Sequence, residues 1–260
     1  MIIDSHTHIG FGGIIDMHAS AEQLIASMKK AKIDKALVFG GEMNACSIDR
    51  LLSAIAPYPK QLYAIGSVSP LSPQKPTVEK VEDLLSKKQI HGLKFYPGYE
   101  HFYPADASVR PYLKLLVKYN RPAIFHSGDT YNKSGVAKLK YAQSIHIDDL
   151  ATDLPDLKII IAHFGYPWEI DTAEVCYKNK NVYVDCSGFV YGKFTAKQKK
   201  HFREVIKKFE LISNARDRIL FGTDWPIGDQ TSYARTMQSL MGKNFAKFYS
   251  ENSIALFGLK

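Results

Sequence analysis

Met1-Ile2-Ile3-Asp4-Ser5-His6-Thr7-His8 opens the chain, and its reading sets the terms for everything after it. The apolar run at 1–4 predicts a strand, with His6 and His8 at its C-terminal end. In extended backbone, residues two apart point the same way, so both imidazoles can reach one point. Neutral imidazole is the commonest protein ligand for zinc and related divalent ions. Alone, such a pair carries little weight, because two surface histidines near an N-terminus need no function. Its weight comes from the segments that follow.

Short runs rich in Val, Ile and Phe recur at 35–39, 62–68, 92–96, 123–126, 158–163, 182–186 and 218–222. Segments with helical periodicity separate them, at 21–32, 48–56, 77–88, 109–119, 141–152, 167–178, 195–212 and 231–241, and a ninth at 244–257 closes the chain. Ser20 and Gln23 form a capping-box signature before the first helix. Asn120 and Pro122 stop the fourth. Eight strands alternating with eight helices call for a parallel sheet. At 260 residues, the expected form is a closed (β/α)8 TIM barrel. An open doubly wound sheet would more often carry a Gly-rich phosphate turn after an early strand, and none is present. No linker, repeat or low-complexity tract interrupts residues 1–260, which are expected to form one domain.

The composition, 45% hydrophobic and 23% charged, is that of an ordinary globular protein. No run of about 18 apolar residues exists to cross a membrane. The N-terminus lacks a basic stretch followed by an apolar core, so a cytoplasmic protein is expected. Cys46, Cys176 and Cys186 stand at unrelated spacings and form neither a disulfide framework nor a Cys-x-x-Cys zinc site. The formal charge of +8 would suit an acidic partner. The lysines are scattered, however. Between 193 and 209 they alternate with the core-facing stripe Phe202, Val205, Ile206 and Phe209, which makes them a solvated face. A small-molecule substrate is expected, without nucleic acid or membrane; homo-oligomerisation stays open.

Barrel enzymes carry their chemistry on the C-terminal ends of strands. There this chain places His6 and His8, Lys94, His126, His163 and Asp224. Each has an ordinary reading: a histidine bonded to backbone, a helix-capping aspartate, a lysine turned to solvent. Together, four histidines and an aspartate at one rim are hard to reconcile with chance. Burying them without partners or a metal would cost several kcal/mol. Aromatic residues follow strand four (Tyr96, Tyr99, Phe102, Tyr103), and Trp168 and Trp225 follow strands six and eight. They suit a small planar substrate, or simply cover the barrel top. The loop after strand five offers Asp129, Tyr131 and Lys133, and Arg110 is a further candidate for a substrate carboxylate.

Five segments carry a family resemblance: DSHTH (4–8), HGLKFYP (91–97), IFHS (124–127), IIIAHFG (159–165) and LFGTDWP (220–226). In that order they resemble the amidohydrolase superfamily of metal-dependent hydrolases. FYSENSIALFGL (248–259) is similar to the last helix of the branch holding aminocarboxymuconate-semialdehyde and resorcylate-type decarboxylases. The resemblance implies a divalent metal, Zn2+ or alternatively Mn2+, held by His6, His8, His126 and Asp224. It implies that His163 binds a second metal or contacts substrate and assists proton transfer. Asp224 and His163 are then the catalytic pair, with Lys94 and Tyr96 as substrate contacts. In some binuclear members a strand-four lysine is carboxylated and bridges two ions. The decarboxylase-like branch usually holds one, and one is the expectation here. The implied reaction is hydrolysis through a metal-activated water, with Asp224 accepting its proton. Non-oxidative decarboxylation of a small cyclic or unsaturated acid is the alternative. A TatD-like nuclease shares the strand-one and strand-eight signatures, but usually carries glutamate where this chain has Lys94. A barrel that binds metal without catalysis is the remaining reading.

Overall fold

Parallel strands covered on both faces read as unbroken apolar runs rather than alternating ones. The sixth strand shows this in its barest form: Ile159, Ile160 and Ile161, all buried. The computed structural model describes residues 1–10, 19–40, 47–130 and 135–260. Eight parallel strands run in chain order around one sheet. They are β1 (Ile3–His8), β2 (Lys35–Phe39), β3 (Leu62–Ser67), β4 (Leu93–Phe95), β5 (Ala123–Phe125), β6 (Ile159–Ile161), β7 (Val182–Asp185) and β8 (Ile219–Leu220). Backbone bonds from Ser5 N to Phe221 O (2.9 Å), Asp224 N to His6 O (2.8 Å) and His8 N to Trp225 O (2.7 Å) return the last strand to the first. The expected TIM barrel is therefore the architecture found.

The helices that cover the sheet are α1 (Ala21–Ala31), α2 (Ile48–Ile55), α3 (Val78–Ser86), α4 (Arg110–Lys118), α5 (Ile147–Asp153), α6 (Glu169–Lys178), α7 (Ala196–Ser213), α8 (Gln230–Met241) and α9 (Asn252–Phe257). Side-chain caps set several starts. Ser20 with Gln23 and Thr195 with Gln198 form complete capping boxes, and Ser47, Thr77 and Asp229 cap α2, α3 and α8. The Phe202, Val205, Ile206 and Phe209 stripe of α7 is buried, as its spacing predicts.

Two apolar layers result. One lies between sheet and helices. The other fills the barrel itself, where Ile3, Leu37, Phe39, Ile65, Ile124, Ile160 and Leu220 meet Leu256, Phe257 and Leu259. The chain's last helix, α9, thus closes the bottom of the barrel. Lys94 stands in register with the inward-facing Ile124. It is fully buried, so the reading of Lys94 as a solvent-facing loop residue does not hold.

Several boundaries differ from the sequence reading. The first strand extends through His8 rather than ending at residue 4, because Asp4, Ser5, His6 and Thr7 are buried against β2 and the β8 end. The span 141–152 splits into tight turns at Leu139–Tyr141 and Ser144–His146 before α5 begins. The span 244–257 begins with a wide turn, Lys247–Glu251, ahead of α9. Below β8, Arg218 donates to the carbonyls of Asn179 (2.7 Å), Val182 (2.8 Å) and Cys176 (2.5 Å), tying the end of α6 to the start of β7. Cys176 and Cys186 are buried free thiols; Cys46 lies outside the described residues. Among the described residues, no helix is long and apolar enough to cross a membrane.

Candidate metal centre

The strand ends converge where the barrel rule puts them. Register slips between Asp4 and Thr7, an irregularity of the kind that re-aims side chains. His8 lines the pocket and His6 lies buried beside it, with ring centroids 5.2 Å apart. Asp224 lies between them: its Oδ1 is 3.1 Å from His8 Nε2 and 3.6 Å from His6 Nε2. One ligand atom from each of His6, His8 and Asp224 lies within 4.8 Å of the others. Lys94 Nζ stands 3.3 Å from His6 Nε2.

His163 follows β6 in a tight turn with φ 60°. Its ring centroid is 4.8 Å from that of His6 and 5.2 Å from that of His126. Asp224 also has positive φ, 61°. Most other non-glycine residues with positive φ, such as Lys32 and Asn214, sit at helix ends. His163 and Asp224 instead hold this conformation at the pocket wall, a strained geometry typical of functional sites, and Phe164, next to His163, packs into the core on Phe202 and Phe209.

His126 lines the same pocket but is turned away from the tight cluster. Its Nε2 bonds to the carbonyl of Asp129 at 3.0 Å. Tyr96, Tyr99, Phe189 and Tyr191 supply the aromatic wall, and Lys94 and Asp129 supply charge, around a cavity of about 380 Å3. Arg110 takes no part; it pairs with Asp153 at 2.6 Å on the outer helical layer. Phe102 is buried in the apolar core, and Tyr103 packs on Tyr141. Trp168 immediately precedes α6, without a side-chain cap bond, and Trp225 packs against the core. Tyr131 and Lys133 lie outside the described residues.

Two residues absent from the sequence reading organise the centre. Asp185, the last residue of β7, places Oδ2 2.8 Å from His6 Nδ1. Its Oδ1 accepts from the backbone N–H of His163 (3.1 Å) and of Ser187 (3.0 Å), and from the Ser187 hydroxyl. Ser187 Oγ is 2.8 Å from His163 Nδ1. The signal was available: Val-Tyr-Val-Asp-Cys-Ser-Gly (182–188) ends a strand in a carboxylate, as β8 leads to one. Gly188 completes the cradle. It has φ +67°, and a Cβ there would lie 2.5 Å from His163 Nδ1.

The electrostatics follow from burial. Burial, and secondly the positive charge of Lys94, lower His6 to about 3 despite Asp185. Burial holds His126 well below its ordinary value and lowers His163 as well. For Asp224, burial alone would raise the carboxyl. The hydrogen bond with His8 and the nearness of the His163, His6 and His8 rings outweigh it and keep Asp224 well below the usual range. Asp185 is held low in the same way, burial being outweighed by His6, His163 and Ser187. At neutral pH His6, His126 and His163 are neutral imidazoles beside the ionised carboxylates of Asp185 and Asp224. That is the protonation state a metal ligand set requires.

The chain matches the amidohydrolase family over residues 3–259 and belongs to that family. No curated protein matches it. Solved structures share the fold at low identity. An uncharacterised TIM-barrel protein of Bordetella bronchiseptica is 19% identical with a TM-score of 0.76, covering 99% of this chain and 98% of that one. A probable 2-pyrone-4,6-dicarboxylic acid hydrolase of Acinetobacter baumannii is 16% identical with a TM-score of 0.73, covering 99% of each chain. A 5-carboxyvanillate decarboxylase of Novosphingobium aromaticivorans, solved with manganese and a nitrobenzoic acid, is 15% identical with a TM-score of 0.76, covering 100% of this chain and 97% of that one.

Proposed function

We propose that this chain is a divalent-metal-dependent hydrolase of a small, planar, anionic substrate. The observation that carries the reading is the set of His6, His8 and Asp224, one ligand atom of each within 4.8 Å of the others, with Asp224 Oδ1 3.1 Å from His8 Nε2 and 3.6 Å from His6 Nε2 and the uncharged His163 beside it. The donors fit a metal. Two imidazoles and a carboxylate are a common zinc or manganese set, and Asp185 occupies His6 Nδ1 so that Nε2 faces the site. Zn2+ is the first candidate and Mn2+ the second. His126 joins as a further ligand only by giving up its bond to Asp129.

When bound, the ion supplies Lewis acidity and lowers the pKa of a water it holds. The chain's own groups do the rest. Asp224, in basic form, accepts the proton that a water loses on attacking a carbonyl and passes it to His163, which is also in basic form. His163 then returns a proton to the leaving group. The positive charge of Lys94, buried beside Tyr96 at 5.2 Å from its ring centroid, sits where a substrate carboxylate would be held. Tyr96 and Tyr99 face a flat ring and exclude water from it.

Lys94 also favours a second reading, non-oxidative decarboxylation, since the group it holds could be the one that leaves. The structural relatives include both chemistries, a hydrolase and a decarboxylase. One experiment separates the two. Protein loaded with zinc or manganese is given panels of cyclic esters, amides and aromatic acids, while ring opening and carbon dioxide release are followed in parallel. Ring opening that disappears with chelator supports hydrolysis. Carbon dioxide release alone replaces it with decarboxylation. Full turnover in metal-free protein would defeat both.

A further inference from the structure

We infer that Ser187 is a positioning residue that fixes the tautomer of His163, and that the single carboxylate of Asp185 thereby sets the tautomers of two histidines from two different strands. The inference builds on the reading of His163 as the pocket base, and its test does not require turnover.

The argument is a count of protons. Asp185 Oδ1 takes two backbone N–H groups, those of His163 and Ser187, so that oxygen offers lone pairs and only accepts. Ser187 has one hydroxyl proton, and its Oγ makes a short contact with Asp185 Oδ1. That proton must lie between them, since two lone pairs would otherwise face each other. Ser187 Oγ therefore has only lone pairs left for His163 Nδ1, 2.8 Å away. His163 is the donor there, so its Nδ1 carries the hydrogen. A ring that serves as the pocket base carries one hydrogen, which leaves Nε2 bare. The same logic holds at the other oxygen. Asp185 Oδ2 accepts from His6 Nδ1, and His6 Nε2 is left bare for an ion, with Lys94 as its nearby donor. Both rings thus present a lone pair, not a hydrogen, on the nitrogen away from Asp185.

The two carboxylate oxygens have separate partners, and this makes the proposal divisible. Oδ1 serves two backbone N–H groups and Ser187; Oδ2 serves His6. In Asp185→Asn, the remaining oxygen stays with the three donors at Oδ1. The amide NH2 then turns to His6 Nδ1 and forces the hydrogen of His6 onto Nε2. In Ser187→Ala, His163 loses its acceptor while His6 keeps its own.

The experiment is long-range 15N–1H NMR of histidine-labelled, chelator-treated protein, with His6 and His163 assigned by single-residue variants. The expected result is Nδ1–H at both rings in the native chain. Ser187→Ala shifts the His163 nitrogens away from that pattern and leaves His6 alone. Asp185→Asn reverses His6 and leaves His163 alone. Zinc affinity, read by chelator competition, falls about 10- to 100-fold in Asp185→Asn, the range for losing a ligand's orienting partner. An Nε2–H His163 in the native chain would overturn the proposal, as would an unmoved His163 in Ser187→Ala or its reversal in Asp185→Asn. If Ser187→Ala does not fold, the native and Asp185→Asn spectra decide alone. A chain that binds no zinc but shows these tautomers would sink the metal reading and leave the tautomer assignment standing.

Discussion

Asp224 and His6 meet the same point from opposite ends of the chain, and their substitutions should fail in different ways. Asp224→Asn keeps the shape and one oxygen donor but removes the base. Metal content should be largely retained while turnover drops at least about 10²-fold, the lower range for losing a positioned acid–base group. His6→Ala removes a ligand atom outright, so metal occupancy itself should fall, as measured by elemental analysis after gel filtration. Near-native turnover in Asp224→Asn would contradict the assigned role whatever the metal content. His163→Asn tests the number of ions. With one ion, stoichiometry stays at one and the rate falls; with two, one ion is lost, and Lys94→Ala loses the same one.

At the scale of elements, the turn after β7 is the part on which the site depends most and of which the sequence said least. Gly188→Ala places a methyl group 2.5 Å from His163 Nδ1 at a backbone φ of +67°. The strain alone is of order 1–3 kcal/mol. The expected outcome is a lower melting temperature together with loss of activity exceeding that of a neutral surface variant; unchanged activity would show that the cradle is not needed. Arg218→Leu tests the base of the same strand. It removes a donor from three carbonyls, of which Asn179 O keeps the Val182 N–H; a carbonyl left unpaired costs about 1–3 kcal/mol if water cannot reach it, so stability should fall without touching the pocket. The strands, the α7 stripe and the α1 capping box were legible because period and capping chemistry are local. His6, His8, Lys94, His126, His163 and Asp224 were legible because each stands at a strand end. Asp185 and Ser187 were passed over because their role is to orient other residues, and orientation shows only once β7 lies beside β1 and β6 in space. Arg110 misled for the complementary reason: its charge suits a carboxylate, but α4 holds it on the outer layer.

For the molecule as a whole, the seam between first and last strands hangs on Asp4. It accepts from His6 N (3.3 Å), Thr223 N (3.0 Å), Thr223 Oγ1 (2.6 Å) and Gln230 Nε2 (2.8 Å), so β1, the β8 end and α8 meet on one carboxylate. Burial raises Asp4 from its ordinary 3.8 to about 7, against the pull of those four donors. A raised value means the folded chain binds this proton more tightly than the unfolded one. The associated stability is therefore full below the ordinary value and is lost as pH rises through about 7. Melting temperature of chelated protein, followed between those values, should carry a downward component that Asp4→Asn removes. An identical slope in the variant would exclude Asp4 as its source.

The closure that Asp4 anchors also has a consequence in time. A ribosome delivers β1 before β8, and a domain generally folds as a unit. His6 and His8 therefore wait, without their carboxylate partner, until Asp224 and the strand before it have been made. An ion held by this set selects chains whose ring is complete and offers little to those stalled with an open edge. Such selective binding stabilises by about 2.7 kcal/mol when free ion stands at 100 times its dissociation constant. Metal supply would then influence how many newly made copies survive to work, in addition to how fast each one works. Pulse-labelled chains synthesised with and without zinc, then challenged with protease, should differ in surviving full-length product, while chains ending before Asp224 should be cut equally in both.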